Sequence, residues 1–249
     1  MNERLVAAQG IRCLAPPVGW LGEAQAFLSL REGGVSPPPF ATLNLGRSAG
    51  DAPELVQENE RRLAASLGLP SPPARLKLEH GTRCLQVTEP GVYGPADSML
   101  TDRKGLPLWL TVADCLPVYL VVGSWIAILH AGWRGTADGV IASTVEALER
   151  ASGLPASKQR AWIGPGIQVC CYPVRPVVAG RFAPDLLESI DGKDHLNLAD
   201  AAIRALRAAG LPREAIAASR LCTSCRNELF FSYRRDGSRS GRMAAVLWR

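Results

Sequence analysis

The chain has 249 residues, 47% of them hydrophobic and 20% charged, with a formal net charge of +5, seven cysteines and three histidines. That length and apolar share can supply a substantial core, and the positive balance suits small anions such as phosphate; no recognised nucleic-acid-binding signature accompanies the dispersed basic residues. An odd cysteine count and a polar N-terminal MNERLVAAQG argue against a secreted disulfide scaffold, a signal peptide or an anchor, and point to the cytosol.

In chain order, residues 54–67 have helical spacing of Leu55, Leu63 and Leu67 with charged residues between them. Strands are expected near residues 75–78, 84–88, 108–113, 116–122 and 125–130, where β-branched and aromatic residues concentrate. A helix over 136–150 follows, then a strand at 160–163, a helix over 199–209 closed by Gly210 and Pro212, and a strand at 243–248. The apolar run 106–133 is long enough to raise the question of a membrane span, but Asp114, Pro117 and Gly123 interrupt it. No repeat or long charged tract divides the chain. The reading is one α+β domain over residues 1–249, with helices beside a large mixed sheet.

The segment 106–135, LPLWLTVADCLPVYLVVGSWIAILHAGWRG, carries the most chemistry. Gly123-Ser124 fits a two-residue hairpin turn, which fixes the register. With Val122 opposite Trp125, Leu116 faces Ala131, and Cys115 lies diagonal to His130 on one face, roughly 7 Å apart at Cβ or less. Such a pair is a metal site, a nucleophile with its base, or two neighbours without a shared role. His80 and His130 both precede glycine-containing turns, LEHGTR and HAGWRG, and three ligands from separated loops would match a catalytic zinc.

Further candidates surround this pair. Asp114 adjoins Cys115 and is read as orienting a ligand or accepting a proton, or else as a turn residue. Arg134, at the start of a helix, is a candidate phosphate ligand, and the amide of Asn44 in LNLG suits a purine edge or ribose, or a turn. Cys222-Thr-Ser-Cys225 has CxxC spacing, which in isolation reads as redox-active or as half of a zinc site, but no second CxxC exists. Gly164-Pro165-Gly166 lacks the context of a dinucleotide fingerprint.

HAGWRG at 130–135, ADCLPV at 113–118 and CTSCRNELFFSYRRDGSRSGRMAAVLW at 222–248 resemble the YfiH/laccase-domain family, also called multicopper polyphenol oxidase-like proteins or peptidoglycan editing factors. ATLNLG at 41–46, GPADSMLT at 94–101, GPGIQVCCYPV at 164–174 and HLNLADAA at 195–202 extend the resemblance over most of the chain. It implies a single-domain α/β/β/α sandwich with mixed β-sheets and a zinc enzyme that phosphorolyses adenosine, inosine, guanosine and methylthioadenosine, with adenosine deamination as a second activity. The implied ligands are His80, Cys115 and His130. The terminal core segment that the resemblance implies makes Cys222 and Cys225, and the adjacent Cys170 and Cys171, structural thiols. Departures from the family pattern fall at Leu78, at Gln168 and Pro173, and at Glu60, which leaves Asn59 in place and shifts the basic residues to Arg61 and Arg62; they bear on substrate preference. Three rivals remain. A cysteine hydrolase or amidase editing peptidoglycan precursors would use Cys115 as nucleophile and His130 as base. A copper-dependent polyphenol oxidase would need more histidines than three for a full multicopper set, and a non-catalytic metal would only staple loops.

Overall fold

The computed structural model describes residues 3–249. In chain order the strands are β1 (Arg4–Ala8), β2 (Ile11–Ala15), β3 (Gln25–Ser29), β4 (Ala74–Leu76), β5 (Cys84–Gln86), β6 (Gly91–Tyr93), β7 (Ser98–Thr101), β8 (Leu108–Val112), β9 (Leu116–Val122), β10 (Trp125–Ala131), β11 (Arg160–Ile163), β12 (Leu187–Ile190), β13 (Lys193–Leu196), β14 (Ile216–Ala218) and β15 (Met243–Trp248). The helices are α1 (Pro53–Leu67), α2 (Trp133–Asp138), α3 (Val140–Ser152), α4 (Pro176–Ala179), α5 (Leu198–Ala208) and α6 (Tyr233–Asp236). One sheet runs β1-β2-β3-β15-β8-β4-β6, a second runs β14-β11-β9-β10-β7-β5, and β12 pairs with β13 alone. Both large sheets are mixed: β4 is parallel to β6 and β8, β11 to β14, and β5 to β7.

The period of two along each strand builds the layers. In β8, Leu108, Leu110 and Val112 meet Ile126 and Ile128 of β10 and Tyr119 of β9 between the sheets. Trp109 of β8 and Val246 of β15 point the other way, onto Leu63 of α1. Leu116, Val118 and Leu120 of β9 and Leu129 of β10 face Val145 and Leu148 of α3 and Leu206 of α5. Helix, sheet, sheet and helix therefore stack in the α/β/β/α order that the resemblance implied.

Helix α1 begins with Pro53 at its first position and ends on Gly68, whose φ of 61° only glycine adopts at low cost. The single helix expected over 136–150 is two: Gly139, at φ 98°, turns the chain left-handed between α2 and α3. The expectation ran through this glycine because helical spacing of apolar residues continues on both sides of it. Strands β1 to β3, β6, β7 and β12 to β14 were not anticipated. Each has three to five residues, too few for alternation to register against the flanking sequence. No helix among the described residues is long and apolar enough to cross a membrane.

Candidate metal centre and its cavity

The β9–β10 hairpin has the register its turn dictates. Gly123 takes a φ of 54°, Val122 pairs with Trp125, and Leu116 pairs with Ala131. His130 has the parity of Ile126 and Ile128, so it points between the sheets at their open end. Cys115 sits one residue before β9, after Asp114, which adopts a positive φ of 83°. His80, also at positive φ, comes from the loop between β4 and β5. The ligand atoms of His80, Cys115 and His130 lie within 4.8 Å of one another, with the two imidazoles edge to face at 4.9 Å.

A residue with no assigned role in the sequence holds two of the three. Asp97, fully buried, accepts backbone N–H bonds at Oδ2 from Gly81 (2.7 Å) and Glu79 (3.2 Å), shaping the turn that carries His80. Its Oδ1 lies 2.9 Å from His130 Nδ1, and its carbonyl accepts the His130 N–H at 2.8 Å. The imidazole is thereby oriented with Nε2 toward Cys115, the arrangement in which a carboxylate steers a metal-binding histidine. β7 pairs with β10, so a carboxylate preceding β7 was the place to look.

Burial alone would raise the Cys115 thiol, yet the charge of His130 and bonds from His130 and His80 bring it down to about 6. Burial alone would lower His130; the Cys115 thiolate and Asp97 outweigh it and raise the imidazole well above its ordinary value. The two groups hold each other charged in the metal-free site.

Asp114 is committed to distant segments. Its carboxylate accepts from Thr223 Oγ1 (2.6 Å), Ser232 Oγ (3.1 Å) and the Arg234 N–H (2.6 Å), and its carbonyl accepts the Ile167 N–H (2.8 Å). These bonds leave it fixing the turn before Cys115.

The three candidate ligands open onto a cavity of about 1150 Å³. Arg47 and Arg75 line it but are paired with Glu60, itself nearly buried. Lys77, Arg134, Arg234 and Arg242 line it with no ion-pair partner among the described residues. Three of these cations lie over aromatic rings of the same cavity: Arg134 over Trp133 at 4.5 Å, Arg234 over Tyr172 at 5.1 Å and Arg242 over Tyr233 at 5.5 Å. Trp133 lies in HAGWRG, Tyr172 in GPGIQVCCYPV, and Tyr233, Arg234 and Arg242 in FFSYRRDGSRSGRM, where interleaved aromatic and basic residues were the available signal.

Asn44 is corrected by its surroundings. It is fully buried, its Nδ2 donates to Asp51 (2.9 Å), and its Oδ1 accepts from Gly46 (3.0 Å) and Arg242 (2.9 Å), so the amide is spent inside the protein and does not reach the cavity. Of the family departures, Glu60 and Leu78 line the cavity, whereas Arg61 and Arg62 both pair with Glu58 outside it. Pro173 instead bridges to His195, which lies against the Val169 carbonyl, away from the other two histidines. Cys170, Cys171, Cys222 and Cys225 converge on one another.

A family model described as multi-copper polyphenol oxidoreductase laccase matches residues 25–249. The chain is 37% identical to "Purine nucleoside phosphorylase YlmD" of Geobacillus stearothermophilus over 96% of its own length and 94% of the relative's. It is 39% identical to "Purine nucleoside phosphorylase YfiH" of Escherichia coli, covering 90% and 93%. Among solved structures, YlmD of Geobacillus stearothermophilus superposes with a TM-score of 0.90 at 34% identity, covering 98% of this chain and 97% of that one. A hypothetical protein YfiH of Bacillus licheniformis does so with a TM-score of 0.90 at 33% identity, covering 99% and 98%. Likeness of this extent runs over nearly the whole chain, and the chain belongs to the multi-copper polyphenol oxidoreductase laccase family, the YfiH family.

Proposed function

We propose that this chain is a zinc-dependent purine nucleoside phosphorylase, working in the cytosol as a single domain on adenosine, inosine, guanosine and methylthioadenosine, with adenosine deamination as a second activity. The observation that carries the reading is the convergence of His80, Cys115 and His130 in the wall of a cavity whose unpaired guanidinium groups lie over aromatic rings. The names of the relatives, purine nucleoside phosphorylases, support it. All seven cysteines are free, in keeping with a reducing compartment.

The donor set fits zinc. Two imidazole nitrogens and one thiolate leave a fourth position of a tetrahedron for water or substrate, whereas a copper oxidase would call on more histidines. Gly132 keeps the space clear: a Cβ there would stand 3.0 Å from Cys115 Sγ, 3.6 Å from a His80 ring carbon and 3.7 Å from a His130 ring carbon. A zinc bound by these residues supplies Lewis acidity and a water of lowered pKa.

The protein's own groups account for the rest. In phosphorolysis a phosphate oxygen bonds to the anomeric carbon while the bond from that carbon to the purine nitrogen breaks, and the electron pair leaves with the base. Arg134, Lys77, Arg234 and Arg242 supply fixed positive charge to hold the phosphate, and the guanidinium forks can each receive two of its oxygens. Trp133, Tyr172 and Tyr233 offer faces for the purine. Burial raises the Tyr172 hydroxyl, which stays protonated and able to donate to a purine nitrogen as negative charge develops there. Asp114 acts as a positioning residue, through the turn that aims Cys115.

Incubation with adenosine and inosine, with and without phosphate, tests the reading. Free base and ribose 1-phosphate should form only with phosphate and disappear in Cys115→Ala; unchanged turnover in that variant would remove the metal from the reaction.

One feature favours a second reading. Cys115, His130 and Asp97 also stand as a nucleophile, a base and the group that orients it, with the thiol brought down to about 6, the constellation of a cysteine hydrolase or amidase. Covalent labelling of Cys115 by an electrophilic amide probe in zinc-loaded protein would favour it, and a zinc-loaded protein that resists labelling would count against it.

A further inference from the structure

Four thiols gather apart from the His80 cluster. The Sγ atoms of Cys170, Cys171, Cys222 and Cys225 lie within 4.8 Å of one another, with Cys225 at 3.3 Å from Cys171 and 3.5 Å from Cys170. Four sulfurs around an ion at about 2.3 Å occupy a tetrahedron with edges of about 3.8 Å, inside the range these atoms span. A disulfide needs two sulfurs and leaves the other pair without a reason to converge.

At Cys222 the backbone is arranged for a thiolate. Cys222 is buried, and its sulfur receives N–H groups from Gln168, at 3.5 Å, and from Ser224 and Cys225 within its own CxxC turn. Three donors on one sulfur favour its charged form. The Arg235 guanidinium donates to the carbonyls of Thr223 (3.2 Å) and Ser224 (3.1 Å), setting a cation beside the turn, although it also pairs with Asp236. The second CxxC that the sequence lacks is replaced by the adjacent pair Cys170-Cys171 on a 3₁₀ turn (Val169–Cys171).

We propose that these four cysteines form a structural zinc site of the four-thiolate type, distinct from the centre at His80, Cys115 and His130. Binding releases the thiol protons to solvent and leaves a complex of net charge −2, beside which Arg235 places one cation that it shares with Asp236. The ion would clip the 166–174 loop to the 219–226 loop. Both loops grip Asp114: Ile167 through its N–H to the Asp114 carbonyl, and Thr223 through its hydroxyl to the carboxylate. The clip therefore braces the turn that presents Cys115, independently of the reaction catalysed there.

Zinc per chain in the purified full-length protein, measured by mass spectrometry of the metal, tests the proposal. Cys222→Ser/Cys225→Ser should lose one ion and keep the other, whereas Cys115→Ser should lose the other ion and keep this one. A zinc content unchanged by the double substitution overturns the proposal, as does a zinc-free native mass lowered by the hydrogens of one or two disulfides. Where the double variant fails to fold, cobalt titration of Cys115→Ser reads the same site with all four thiols present. An intense sulfur-to-cobalt charge-transfer band with tetrahedral d–d absorption supports the site, and its absence overturns it.

Discussion

Asp97 reaches the site through two other residues, donating nothing to the cavity itself, and its removal separates ligand supply from ligand orientation. Asp97→Asn keeps a hydrogen-bonding side chain but withdraws the charge facing His130, and metal affinity should fall about 10- to 100-fold, read by competition with a chromogenic chelator. At Cys115 the expected signature is in pH. In metal-free protein the rate of alkylation by iodoacetamide should rise with a midpoint near about 6, far below the ordinary thiol value of 9.0. Because the folded thiol lies below its unfolded value, its contribution to stability is complete above 9.0 and is lost as pH falls through about 6. His130 runs oppositely: raised on folding, it contributes fully below 6.5 and less as pH climbs through its folded value. The difference in melting temperature between chelator-treated wild type and Cys115→Ser should therefore narrow as pH falls toward about 6 and stay small below it. At this scale the sequence was informative where local geometry relates two residues, as for Cys115 and His130. His80 came through resemblance. Asp97 was silent because its partner is 33 positions away on a neighbouring strand, and Asn44 misled because an amide's donors are visible in a sequence but its burial is not.

The β9–β10 hairpin was the most legible element, since a two-residue turn leaves no freedom of register. The segment following it was less so. Gly132 has ordinary extended backbone angles, so nothing in its conformation demands glycine. What demands it is proximity, because a methyl group would enter the space between Cys115, His80 and His130. Gly132→Ala should fold with an unchanged circular dichroism spectrum yet bind less zinc than wild type, by metal analysis after dialysis. Full occupancy in that variant would mean that the three side chains rearrange freely. The terminal segments were legible as motifs but not as structure. FFSYRRDGSRSGRM was matched to a family, while its task of bonding Asp114 and lining the cavity depends on contacts more than 100 residues distant in sequence.

Across the molecule, periodicity announced strands and helices but not two sheets face to face. The reason is that β9 and β10 are buried on both sides, so their apolar runs are continuous and carry no sign of which layer lies on which face. The layered order came from the resemblance, and the packing accounts for it. Leu120, completely buried between the second sheet and α3 and α5, tests that packing away from the site. Leu120→Ala should cost about 2–5 kcal/mol in urea denaturation, through lost burial and the cavity left behind.

β15 lies in the middle of the seven-stranded sheet, flanked by β3 and β8, although it is made after every other strand. During synthesis on the ribosome the sheet therefore stands as two unjoined halves, each with an open edge, until residues 243–248 leave the exit tunnel. Chaperone protection should be needed longest at that moment, and a nascent chain arrested just short of β15 should remain sensitive to protease along its whole length, whereas release of the final strand should confer resistance in one step.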